Sequence, residues 1–189
     1  MKLSNPYSDN ADCGALAEFC RKAGRETVYR RHEYFGRRGG PAIFMGYIEE
    51  GGVRYAVTDD AGRSHTVGFC FEGDFAADYS AFVQGRPALV DSVAIQDTRM
   101  WVITRRQYFD FIGSGYDTCL LGRKMAERLF VSAYDRLLGF YLMSPEQRYV
   151  DLMTRYPHLG ERLTSREIAS LVGIAPETLS RIRRRLLDK

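Results

Sequence analysis

The feature that constrains this chain most is a change of hydrophobic period near Ile103. From about residue 27 to residue 104, apolar residues recur at every second position, punctuated by Gly and Asp. The segments AIFMGYIEE, GVRYAVTDD, RSHTVGFCF, FAADYSAFV, ALVDSVAI and TRMWVIT carry that pattern. They are rich in Val, Ile, Tyr, Phe and Thr, which suit a half-buried pleated surface. Asp59-Asp60-Ala61-Gly62 is a hairpin turn between two of them. Many short strands with regular turns predict a barrel or a jelly-roll-like β-roll. Ahead of them, ADCGALAEFCRKA at residues 11–23 sets Leu16, Phe19, Cys20 and Ala23 at helical spacing, a short amphipathic helix. After Ile103 the period becomes helical, so the expected fold class is α+β, with the roll first and helices behind it.

The helical part has its own punctuation. RRQYFDFIG reads as a short helix stopped by Gly113 and Gly115. A long, proline-free helix then runs from about Tyr116 to Met143. Ala126, Phe130, Ala133, Leu137 and Phe140 recur in alternating steps of four and three, the spacing of a coiled-coil seam. Such a stripe can pack on the chain's own roll. Leu120, Met125, Leu129, Tyr134 and Tyr141 supply a second apolar face for that purpose, and a helix apolar on two faces has two partners. The first stripe is therefore expected to join two copies of the chain. Ser144-Pro145-Glu146-Gln147 is a strong helix start, with a serine cap, a proline at the first position and a glutamine completing the capping box. It marks a boundary between a sensor domain (1–115), a dimerisation helix (116–143) and a terminal helical domain (144–189).

That terminal domain holds LTSREIASLVGIAPETLSRIRRRL, residues 163–186. Thr164 and Glu167 form a second capping box, opening a short helix whose inner positions are Ile168, Leu171 and Val172. Gly173 supplies a tight turn, and Pro176 starts the next helix. Leu179, Ile182 and Leu186 face inward, leaving Glu177, Ser180, Arg181 and Arg184 outside. Two short helices joined by a glycine turn are the helix-turn-helix signature. The second helix would lay its first residues against base edges, and its arginines match guanine or phosphate bidentately.

Charge placement agrees. The chain carries +3 overall, and residues 161–189 hold seven Lys or Arg against four acids, so the whole excess sits there and favours a polyanionic partner. No apolar run approaches the roughly 20 residues that span a bilayer. The opening MKLSNPYSDNADCG has no continuous apolar stretch, so a cytoplasmic protein is expected. Cys13, Cys20, Cys70 and Cys119 match no zinc or haem-attachment spacing, and Cys13 and Cys20 lack the further ligands of an iron–sulfur centre, so no metal is expected. There is no phosphate-cradling glycine loop, metal-binding His pair or nucleophile motif, and Asp59, Asp60 and Asp97 fit turns, so an enzyme is not expected.

Nearly the whole chain resembles the Crp/Fnr superfamily of transcription regulators. GFCFEGDFAADYSAFVQGRPALVDSVAIQDTRMWVITRRQYFDFI is similar to that family's ligand-binding stretch with its last strands and short helix. The long helix resembles the dimerisation helix, and EIASLVGIAPETLSRIRRRL resembles the helix-turn-helix. The resemblance implies that Glu177 and Arg181 read bases and that Arg183, Arg184 and Arg185 add phosphate affinity. Thr164, Ser165, Pro176, Thr178 and Ser180 complete the expected DNA-contacting set. Pro176 stands where well-known members carry a base-contacting arginine, so a different sequence preference is expected. The chain runs only to Lys189, so the β-hairpin wing usual in the family is expected to be missing, with fewer phosphate contacts.

The sensor half departs further. Cyclic-nucleotide binders carry Gly-Glu and, about a dozen residues on, Arg-Ser or Arg-Thr. Here Ala77-Asp78 replaces the first pair, Ala88-Leu89 falls at the second, and Arg86 is two residues early, before Pro87. Cyclic AMP bound in the usual manner is not expected. The candidate effector positions are Gly73, Asp74, Asp78, Tyr79, Ser80 and Arg86, with turn formation as the other reading of Gly73 and Asp78. No cofactor is required by the sequence; a haem held by His32, His65 or His158, and a thiol switch at Cys70 or Cys119, stay open. The implied partners are double-stranded DNA, a second copy of the chain, an unidentified small-molecule effector and RNA polymerase. The competing reading is a small-molecule-binding dimer whose terminal domain docks another protein.

Overall fold

In the computed structural model, residues 13–187 are described. The chain opens with α1 (Gly14–Ala23), whose Leu16, Ala17 and Cys20 are buried. The part of the expected first helix at residues 11–12 lies outside the described residues. Eight strands follow in two four-stranded antiparallel sheets. One is ordered β1 (Arg25–Tyr29), β8 (Thr98–Thr104), β3 (Phe44–Glu50), β6 (Phe75–Ala76). The other is ordered β2 (Tyr34–Gly36), β7 (Asp91–Ala94), β4 (Gly52–Thr58), β5 (Ser64–Phe71). Register sorts side chains by face: Met45 lies opposite Ile103 in the core shared with α1, and Ile48 opposite Met100 in the interior of the roll, all four buried. Val53, Cys70 and Ala76 close that interior.

The β4–β5 hairpin turns at residues 59–63, where the amide of Asp59 donates to Arg63 and that of Gly62 to Asp59. Its ladder slips between Tyr55 and Ala56, because Tyr55 faces Gly68 while Ala56 faces Thr66. Val67 is left without a partner on β4, a β-bulge that frees its carbonyl for another element.

One strand expectation needs correction. In FAADYSAFV only β6 is extended; Tyr79–Gln84 form a helix, α2. Asp78 caps it by accepting from the amide of Ala81, and Gly85 ends it at φ +63. The alternation of Tyr79, Ala81 and Val83 mimics a strand, but a side-chain cap and a left-handed stop decide for the helix.

The helical part follows the caps. α3 (Arg105–Ile112) opens on a Thr104–Gln107 capping box. α4 (Tyr116–Leu142) is the long helix, and α5 (Pro145–Arg155) opens on the Ser144–Gln147 box. A short α6 (Leu159–Arg162), which the sequence patterns did not indicate, precedes α7 (Ser165–Leu171) and α8 (Pro176–Leu187). Leu121 and Met125 pack the first half of α4 into the core shared by α1, α3 and the roll. Its second face stops there: Tyr134 and Tyr141, expected against the roll, are exposed. Among the described residues, no helix is long and apolar enough to cross a membrane.

Candidate nucleic-acid interface

The terminal domain is built on Leu159, Leu163, Ile168, Ala169, Leu171 and Leu179, all buried in one cluster. Thr164 begins α7 as its cap, accepting from the amide of Glu167, whose carboxylate in turn accepts from the Thr164 amide. At the turn, Gly173 takes φ +68, and the Ile174 amide donates back to Ala169. Pro176 follows as the first residue of α8, whose Leu179 and Ile182 are buried. Those two anchors fix which side of α8 faces outward.

Pro176, Glu177, Ser180, Arg181, Arg184 and Arg185 are exposed, and Thr178 is half-buried beside them. The outward face therefore gathers one carboxylate, two hydroxyls and three guanidinium groups on three turns. Arg181 donates to the hydroxyl of Thr178 (3.4 Å), one turn back. Arg185 pairs with Glu146 of α5 (3.1 Å). Arg183 points the other way: its Nε donates to the Tyr149 hydroxyl (3.1 Å) and its Nη1 to the Ser165 hydroxyl (2.7 Å). It thus braces α8 against α5 and α7, and Ser165 is occupied by the same contact.

On α4, the stripe of Ala126, Phe130, Ala133, Leu137 and Phe140 is exposed along its whole length. Phe130 is 68% exposed and stacks on Tyr134 with ring centroids 5.9 Å apart. Val131, Tyr141 and Leu142 extend the apolar surface.

The candidate effector positions of the roll are engaged by the chain itself. Gly73 turns at φ +84 and its amide donates to Ile48. Asp74 is buried and accepts from the amide of Phe71 (2.9 Å). The carboxylate of Asp78 accepts from the amides of Leu89 (2.6 Å) and Val90 (3.3 Å) as well as Ala81. Tyr79 shares a hydroxyl contact with Tyr108 (3.2 Å), Ser80 accepts from Gln84, and Arg86 is exposed. His65 bonds Asp59 (2.8 Å) and His158 bonds Glu161 (3.2 Å), in separate parts of the fold, while His32 sits in a turn at φ +71. Burial pushes the Cys70 thiol well above the usual range, so it stays a neutral thiol, in contact with the Tyr55 hydroxyl (3.5 Å). Cys119 is exposed.

Side chains that sequence reasoning passed over fasten the terminal domain to the roll. Arg162 donates to both carboxylate oxygens of Glu72 (2.9 and 3.0 Å) and to the carbonyl of Gly51 (2.8 Å), with its guanidinium 4.3 Å above the Phe71 ring. Arg54 of β4 pairs with Glu167 of α7 (3.2 Å). Phe69 meets Tyr156 edge to face (4.8 Å). The carbonyls around the bulge are satisfied across the same junction: Ser170 donates to Thr66 (3.1 Å) and Arg136 to Val67.

Residues 26–114 match the family model of the cyclic nucleotide-binding domain. No curated protein sequence matches the chain. FixK2 from Bradyrhizobium japonicum superposes with a TM-score of 0.71 at 22% identity, over 87% of this chain and 85% of that one. The c-di-GMP-responsive global regulator CLP of Xanthomonas campestris gives 0.70 at 18% identity, over 93% and 92%. A regulator assigned to the Crp/Fnr family from Eubacterium rectale gives 0.69 at 17% identity, over 92% and 82%. At these identities the likeness is one of fold: an antiparallel roll, a long helix and further helices arranged as in Crp/Fnr regulators.

Proposed function

We propose that this chain, with a cyclic nucleotide-binding domain at residues 26–114 and the fold of the Crp/Fnr regulators, is a cytoplasmic transcription regulator that binds pseudo-palindromic duplex DNA as a homodimer. The observation that carries the reading is the outward face of α8. Glu177, Ser180, Arg181 and Arg184 are exposed on a helix anchored from behind by Leu179 and Ile182. A rigid helix presenting carboxylate, hydroxyl and guanidinium groups at its first turns matches a major groove. In this reading Glu177 and Arg181 contact bases. Arg184 and Arg185 contact phosphate, together with Thr164 and Thr178 at the edges of the surface, while Arg183 and Ser165 hold α8 in place from behind.

The exposed stripe on α4 supports the dimer. Apolar side chains at coiled-coil spacing on a long helix find their cover in a second copy of the same stripe. Pairing through residues 116–143 would set two copies of α8 about one duplex turn apart, near 34 Å. Residues 1–115 then act as the receiving domain and 144–189 as the reading domain. A signal at the former shifts the population of DNA-competent arrangements of the latter.

Selection from a random duplex pool by the purified full-length protein tests this. Enrichment of a two-fold-symmetric site is expected. Absence of enrichment, with and without a cytosolic small-molecule extract, would contradict it and leave a terminal domain that docks protein.

A further inference from the structure

Between the roll and the terminal domain lies a cavity of about 560 Å³, within the size range of small-molecule sites. Three of its lining side chains are arginines, Arg136, Arg148 and Arg155, and one is a carboxylate, Asp151. The rest of the wall is mainly apolar, with Phe69 from β5, Leu129 and Phe140 from α4, and Tyr156 after α5.

Two of the three cations are held by groups that do not neutralise them. Arg136 donates to the carbonyls of Val67 and Leu171, and Arg148 to those of Val172 (2.9 Å) and Met143 (2.8 Å). Arg155 pairs with Asp151, yet its buried Nε has no hydrogen-bond partner. Asp135 also acts on Arg155. Three guanidinium groups against two carboxylates leave one positive charge in excess, in a place where burial makes each cation less favourable. An uncompensated charge beside an apolar wall is costly unless something pairs with it.

We infer that this cavity binds a small organic anion, with one acidic head on an aromatic or aliphatic body, and that it is the effector site of the chain. The head lies among Arg136, Arg148 and Arg155, and the body lies against Phe69, Leu129 and Phe140. The wall is shared by the roll, the long helix and, through Leu171 and Val172, the start of the helix-turn-helix turn. Occupancy therefore bears on the three parts whose relative placement sets α8. Only this consequence for DNA rests on the function proposed above; binding of the anion stands apart from it.

The test is a fluorescence titration of the full-length protein with anilinonaphthalenesulfonate, an aromatic anion, followed by competition with decanoate and with decanol. One site per chain is expected, displaced by decanoate at least tenfold more readily than by the uncharged decanol. Arg155→Gln should weaken dye binding about tenfold and Asp151→Asn should tighten it by a similar factor, since each alters one charge at short range. The second variant decides alone if the first fails to fold, because loss of structure does not tighten an anion site. Equal displacement by decanoate and decanol, or an Asp151→Asn affinity no tighter than that of the parent, would overturn the inference and mark an apolar surface instead. An intact dye site in a protein that selects no DNA would count against the regulator reading alone.

Discussion

A Cβ atom built on Gly173 would stand 2.6 Å from Cε1 of Phe140, so the turn of the helix-turn-helix rests directly on a ring of the long helix. The same ring lies 5.1 Å from the guanidinium of Arg148. Phe140 thus joins three features: the exposed stripe of α4, the wall of the cavity and the turn that aims α8. A change in how α4 is packed would therefore reach α8 directly through this ring.

Gly173→Ala meets two penalties at once, a left-handed backbone at φ +68 and collision with the ring. It should cost about 2 kcal/mol in urea unfolding of the full-length protein. Combining it with Phe140→Ala relieves the collision and leaves the backbone penalty, so the pair should cost less than the sum of the single changes. Strict additivity would show that ring and turn do not touch.

Arg162 holds the terminal domain to the roll through Glu72, Gly51 and the Phe71 ring. Arg162→Ala should cost roughly 1 kcal/mol, a modest amount because Glu72 is partly exposed. The diagnostic readout is hydrogen exchange: amides of α6 and α7 should exchange faster while those of β3 and β8 stay protected.

The same contact predicts an acid response. Burial pushes the Glu72 carboxyl up, but hydrogen bonds from Arg162 and the Gly51 amide outweigh it and hold the group below its ordinary 4.5. A carboxyl lowered on folding stabilises the folded state at pH values above 4.5, and that contribution is lost as pH falls through the lowered value. Lower protection factors in α6 and α7 should therefore set in below about pH 4.5, and Glu72→Gln should show them already at neutral pH.

Phe130 and Leu137 are 68% and 51% exposed, so a charge at either position need not disturb the fold of one chain. Phe130→Glu with Leu137→Glu should convert a sedimenting dimer to a monomer with unchanged circular dichroism. A dimer that survives both substitutions would place the pairing surface elsewhere.

What the sequence disclosed is what its short-range chemistry determines. The boxes at Ser144–Gln147 and Thr164–Glu167 were readable because cap and partner stand three residues apart, and both form. The roll was readable from alternation, since register sends successive side chains of β3 and β8 to opposite faces, Met45 and Ile103 to one core and Ile48 and Met100 to the other. The helix at Tyr79–Gln84 was hidden, because Asp78 is fixed partly by the amides of Leu89 and Val90, which lie far along the chain. Arginines of the cavity and of the junction with the roll were hidden for the same reason. Arg136 meets Val67 and Arg162 meets Glu72 across long stretches of chain, and an arginine on a helix otherwise reads as a solvated face. Arg183 shows the limit within a legible motif: it belongs to the basic run, yet it turns back to Tyr149 and Ser165.

The central claim, that the outward face of α8 reads DNA as part of a dimer, is tested most directly by the affinity of the full-length protein for its selected duplex across salt, with and without Arg181→Ala. With Arg184 and Arg185 on phosphate in each of two copies, the logarithm of affinity should fall with the logarithm of salt at a slope of about −4. Arg181→Ala should cost about 1–3 kcal/mol and relax preference at one position of each half-site. An affinity insensitive to salt and unchanged in the variant would contradict the claim and turn the terminal domain into a protein-docking module.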